Sequence, residues 1–121
     1  MPAVLFVSHD PDLRAVASRV LAMAGCRVTA AAHAGHASLA CMERASFDVL
    51  VIEGEMPDGS GQEIADRLRR HCPAVRVVRM WNADSPTPAR GLALVRPFTA
   101  DDLIRAVSDA SRYAWRRATT R

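Results

Sequence analysis

The chain has 121 residues, half of them hydrophobic and 24% charged. That suits one compact soluble domain covering 1–121, and it excludes both a two-domain cleft enzyme and a disordered chain. The formal net charge is +3 and all 16 basic residues are arginine, so chemistry that needs a lysine amine is excluded.

No run approaches the roughly 18 consecutive apolar residues of a membrane span. The start, Met1 to Val7, lacks the basic region and cleavage site of a signal peptide, so a cytoplasmic protein with no membrane partner is expected. Cys26, Cys41 and Cys72 are odd in number with no Cys-x-x-Cys pair, and they read as plain buried or half-buried thiols. His33 and His36 could share a metal by spacing, but no carboxylate or thiol matches them, and a solvated helix start is the simpler reading.

In chain order, the first element is the apolar run Val4-Leu5-Phe6-Val7. Asp10-Pro11 then gives an N-cap and a proline at the first helical position, after which Leu13, Val16, Ala17, Val20, Leu21 and Ala24 trace one face before Gly25 ends the helix. Arg27 to Ala31 is a weaker strand, read as an edge. Val49 to Ile52 is a second continuous apolar run, and Ser60-Gly61-Gln62-Glu63 is a capping box opening a helix with Ile64 and Leu68 inward.

Val75 to Val78 and Leu92 to Val95 are two further strands. The connection Asn82 to Gly91 holds two prolines and no apolar period, so the helix expected there is shortened or absent, one turn at most. Thr99 caps the last helix, with Asp101 and Asp102 near its positive end and Leu103, Val107, Ala110 and Ala114 inward. Continuous apolar strands alternating with helices are the habit of a parallel sheet covered on both faces. The class is α/β and doubly wound, with ligands expected at the carboxyl ends of the strands.

Three stretches carry a resemblance. They are Val4 to Val7 running into Ser8-His9-Asp10-Pro11-Asp12, then Phe47 to Glu53 followed by Gly54-Glu55-Met56-Pro57-Asp58-Gly59, and finally Val95-Arg96-Pro97-Phe98. In this order and spacing the chain resembles a response-regulator receiver domain, the CheY-like module that accepts a phosphoryl group from a histidine kinase. The resemblance implies a flavodoxin-like sheet of five parallel strands in the order 2-1-3-4-5. It also implies an acidic pair holding magnesium, a phosphoacceptor aspartate, a hydroxyl residue and a lysine, each at a strand end.

At every one of those positions this sequence departs from the pattern. The acidic pair falls on Ser8 and His9, with Asp10 one place late and better read as the helix cap. The phosphoacceptor position is Glu53, whose extra methylene displaces the attacking oxygen by about 1 Å. The hydroxyl position is Trp81, the lysine position is Arg96, and the family's aromatic switch position is Ala93. Magnesium wants hard oxygen ligands in near-octahedral geometry, and neither magnesium nor another cofactor is expected.

Those replacements suggest a degenerate receiver, a signalling module that is not an enzyme, is not phosphorylated and acts by protein–protein contact. Glu53 either pairs with Arg96, imitating the phosphoryl–lysine contact permanently, or is a solvated relic. Trp81 either fills the vacated space or is an exposed anchor. With Arg79 two residues earlier on the same strand face, and Ala93, it makes a candidate partner surface. His9 is either pH-sensitive or a hydrogen-bonded spectator.

A protein partner or a homodimer is expected, and an output domain follows if the chain is a fragment. Two alternatives stay open: a receiver that still takes a phosphoryl group with unusual residues, and a small basic nucleic-acid-associated regulator. Arg112, Arg116, Arg117 and Arg121 crowd the end of the chain, but no nucleic-acid-binding module fits. Nucleic acid is therefore not an expected partner.

Overall fold

The computed structural model describes residues 2–43, 46–83 and 92–119, with side chains as far as Ser111. Strand β1 (Ala3–Val7) leads to helix α1 (Pro11–Met23), edge strand β2 (Arg27–Ala31), helix α2 (Ala34–Glu43) and strand β3 (Val49–Glu53). A small hairpin, β4 (Glu55–Met56) with β5 (Gly59–Ser60), precedes helix α3 (Gly61–Leu68). Strand β6 (Arg76–Asn82), strand β7 (Leu92–Arg96) and helix α4 (Ala100–Thr119) complete the order.

Five strands form one parallel sheet in the order β2-β1-β3-β6-β7. Setting the hairpin aside, this is the expected 2-1-3-4-5 arrangement. β1 and β3 are buried along their whole length, which is why their sequences are continuously apolar rather than alternating. On one face Leu5, Leu50, Ile52, Ile64 and Leu68 build a core under α2 and α3. On the other, Phe6, Val51, Met80, Leu94, Leu103 and Val107 build a second core under α1 and α4.

Local signals set the helix starts. The Asp10 carboxylate accepts from the backbone N–H groups of Asp12 and Leu13. Ser60 Oγ accepts from Glu63 N, and Thr99 and Asp102 cap each other reciprocally. Each such cap is worth about 1 kcal/mol. α2 is capped by His33, whose Nδ1 accepts from His36 N at 3.3 Å and whose ring stacks on that of His36. Among the described residues no group of three or more His, Cys, Asp and Glu side chains could hold a metal ion. Gly25 ends α1 with φ of 96°, a conformation glycine adopts without strain.

Several expectations need correction. Val16 does not face inward: it is 61% exposed, and Ala24 is exposed too, because α4 and the turn before it stand away from this side of α1. The fourth long strand starts one residue later than read and runs on to Asn82, so Trp81 lies within it. A shortened or absent fourth helix is not borne out: among the described residues there is a fourth helix, α4 at Ala100–Thr119. Residues 84–91, on which that expectation was placed, lie outside the described residues, as do the side chain of Ala114 and the basic side chains from Arg112 onward. Among the described residues no helix is long and apolar enough to cross a membrane.

The thiols behave as packing groups. Cys26 is half-buried and Cys41 and Cys72 are buried, and none of the three forms a disulfide. Burial, with a hydrogen bond to Cys72, pushes the Cys41 thiol up to about 12.

Candidate functional site

The carboxyl ends of β1, β3, β6 and β7 open on one mouth of the sheet, and the residues read as site positions meet there. Glu53, the last residue of β3, is only 3% exposed. Its Oε1 accepts from Arg96 Nη2 at 2.6 Å. Its Oε2 accepts from Ser8 Oγ at 3.0 Å and from the His9 backbone N–H at 3.1 Å, with His9 Nδ1 at 2.6 Å.

Because β6 lies between β3 and β7, the Glu53–Arg96 pair reaches over that strand, above Met80. Burial alone would raise the Glu53 carboxyl. The hydrogen bonds from Arg96, Ser8 and His9, with the Arg96 charge, outweigh it and hold the group below its ordinary value.

Each neighbour of Glu53 is itself held. Ser8 is fully buried, and its Oγ, while donating to Glu53, accepts from Asp10 N at 3.1 Å. Arg14 Nη1 donates to the Ser8 carbonyl at 2.8 Å. Asp10 turns its carboxylate to the start of α1, as the cap reading expects, and so away from the mouth. His9 is half in water, its side chain 51% exposed. The Arg96–Pro97 peptide is cis.

Trp81 is half-buried and its ring lies on Gly54, where an added Cβ would come within 2.7 Å of the indole. The indole thus covers the backbone after Glu53. The Arg79 guanidinium sits 5.8 Å from the Trp81 ring centroid. In the β6–β7 register Arg79 is opposite Ala93 and Trp81 opposite Val95, which puts the three candidate surface residues on one patch. Ala93 is exposed, and Val95 at 42% exposure extends the patch.

Magnesium does not fit these residues. Both Glu53 oxygens are engaged, the Asp10 carboxylate caps a helix, and the remaining carboxylate beside the mouth cavity is the exposed Glu55. Three hard oxygen ligands do not converge.

Three supports of the site were not read from the sequence. Gly61 lets α3 start against β3: a Cβ there would fall 2.2 Å from the Glu53 carbonyl oxygen, and Gly61 N donates to the Gly54 carbonyl at 2.9 Å. Asp58 reaches back to accept from Ala34 N at 2.9 Å, and Asp48 accepts from Ala3 N at 2.8 Å. The Asp58-Gly59 turn was the one visible signal, and it marks a turn without naming what the carboxylate holds.

The comparisons with known proteins agree with this architecture. A family model described as "Response regulator receiver domain" matches residues 4–108. The chain belongs to the response regulator receiver domain family. Solved structures place this receiver domain among its neighbours. A receiver domain protein from Clostridium thermocellum is 21% identical with a TM-score of 0.82, the match covering 93% of this chain and 96% of that one. The receiver domain of the hybrid histidine kinase CckA is 24% identical with a TM-score of 0.79, covering 90% and 98%. NtrX from Brucella abortus, in complex with ATP, is 21% identical with a TM-score of 0.87, but the match covers 97% of this chain and 28% of NtrX. At these identities the likeness is one of fold. No curated protein matches the chain in sequence.

Proposed function

We propose that this receiver domain is a signalling module that works without an aspartyl-phosphate cycle, through contact with a protein partner or a second copy. The single observation that carries the reading is the ion pair between Arg96 and the buried Glu53 carboxylate, 2.6 Å between Oε1 and Nη2. In the family a phosphoryl group on an aspartate meets a lysine. Here a carboxylate one methylene longer meets an arginine, with Ser8 and His9 completing the acceptor shell. The contact is made before any phosphoryl donor arrives, and a group held from both oxygens is poorly placed to attack in line.

The same observation argues against resident magnesium and against catalysis by the domain itself. The reading places the output on the patch of Arg79, Trp81, Ala93 and Val95, which neighbours the mouth through Trp81. A phosphorylatable receiver with unusual ligands is the competing reading. Acetyl phosphate with excess magnesium separates the two: intact mass is expected to stay unchanged, in the wild type and in Glu53→Asp alike, because the acidic pair is missing in both. A gain of one phosphoryl group on the wild type defeats the proposal.

A further inference from the structure

The α1–α4 side of the sheet carries a groove that the mouth chemistry does not use. It has a volume of about 710 Å3 and runs between α1 and the turn joining β7 to α4. Leu13, Val16 and Val20 of α1 form one wall, and Pro97, Phe98 and Leu103 form the other. Drug-sized ligands are held in mostly apolar clefts of roughly 300–1,000 Å3 with a few polar groups at fixed places. This groove has that size and that lining, and its edge explains why Val16 stands in water.

Arg96 supplies the polar group. Among the described residues that line the groove it is the one with a charge, and it lines the mouth cavity as well. Its guanidinium is the partition between the two spaces. An arginine carries five N–H donors. Arg96 commits Nη2 to Glu53, while its Nε is buried with no acceptor. The Arg96 side chain is nevertheless 30% exposed, so a carboxylate or sulfonate in the groove can meet the guanidinium at the donors that Glu53 leaves open, a charge-assisted contact.

The end of the groove nearest α4 is closed by Thr99 and Ala100, at the positive end of that helix. Of the two acidic residues in its first turn, Asp102 has its carboxylate on Thr99 N, and Asp101 is exposed.

We infer that this groove binds a small amphipathic acid, its ring or short chain packed on Val16, Val20, Phe98 and Leu103 and its anionic head on Arg96. The site stands on the groove and on Arg96. Its regulatory meaning rests on the proposed reading of the Glu53–Arg96 pair, since a ligand head and Glu53 draw on one guanidinium. Occupancy therefore weakens the pair, and by linkage loss of the pair tightens the ligand. The ligand takes the place that a phosphoryl group would have had as the signal.

The probes are anilinonaphthalene sulfonate and its uncharged relative phenylnaphthylamine, followed by fluorescence and by methyl shifts. Saturable one-to-one binding of the sulfonate is expected, with shifts at Leu13, Val16, Val20 and Leu103. Affinity should be about tenfold above the uncharged probe, the gain of one charge-assisted contact. Val16→Asp, at an exposed position, should weaken the sulfonate about tenfold or more without unfolding the domain, and Glu53→Gln should tighten it several-fold. Equal affinity for both probes overturns the inference and marks a surface that a partner helix covers. Shifts at the exposed Met23, Leu39 or Met42 in place of the groove also overturn it. Phosphorylation of Glu53 would remove the regulatory reading and leave the methyl shifts standing.

Discussion

Arg96→Ala is expected to lower the stability of the domain by about 3 kcal/mol at neutral pH, because removing the guanidinium leaves the buried Glu53 charge uncompensated. Glu53, 3% exposed, would retain Ser8 and His9 but lose its guanidinium partner. The double variant Glu53→Gln with Arg96→Ala should lose less than the sum of Glu53→Gln and Arg96→Ala taken singly, since neither charge is stranded. Denaturant unfolding curves at one pH check both statements.

The pH dependence fixes the sign. The Glu53 carboxyl lies below its ordinary value of 4.5 in the folded protein. Its contribution is therefore fully present above about pH 4.5 and is lost as pH falls through the folded value. In Arg96→Ala burial is opposed only by the hydrogen bonds from Ser8 and His9, so the carboxyl moves up from its wild-type position and less stability is lost as pH falls. A shallower slope for the variant is the expected result. Parallel slopes would mean that Arg96 does not set the ionisation of Glu53.

Gly61→Ala is the second large effect. A Cβ placed 2.2 Å from the Glu53 carbonyl oxygen meets the main chain of Glu53 and Gly54, which cannot swing aside as a flexible side chain would, so α3 and the end of β3 must separate, at a cost of about 3 kcal/mol. The separation moves the main chain that carries Glu53 and should loosen the pair with Arg96. Gly35→Ala is the control: its nearest neighbour is the exposed imidazole of His33 at 3.1 Å, and its effect should lie within about 0.5 kcal/mol of zero. Thermal unfolding of both variants measures the contrast. A Gly61→Ala protein as stable as the wild type would contradict the close approach of α3 to β3.

The elements were legible because local chemistry marks them. Asp10, Ser60 and Thr99 announce their helices by side chains that cap within three residues, and the two central strands announce burial by unbroken apolar runs. The site positions were legible through the strand-end motifs, but the bond between Glu53 and Arg96 was only one of two readings. Whether the side chains meet depends on reaching across β6, and spacing along the chain carries no such distance.

Val16 was misread for a related reason. Helical period places it beside Leu13 and Val20, and it does face their groove, but nothing in α1 itself tells that α4 leaves that groove open. Gly61, Asp48 and Asp58 act on backbone atoms far away in sequence or on another element, and such contacts leave no local pattern. The contact of the Trp81 ring with Gly54 likewise joins two strand ends and leaves no local pattern.

On the proposed function, the mouth is already set by Glu53, Arg96, Ser8 and His9 and does not answer to phosphoryl chemistry. The most direct measurement is the amide spectrum of isotopically labelled protein with and without magnesium and beryllofluoride, which imitates a phosphoryl group on an acceptor carboxylate. Superimposable spectra are predicted, with the resonances of Glu53, Gly54, Trp81 and Arg96 unmoved. Saturable shifts at those residues, spreading to Ala93 and Val95, would contradict it.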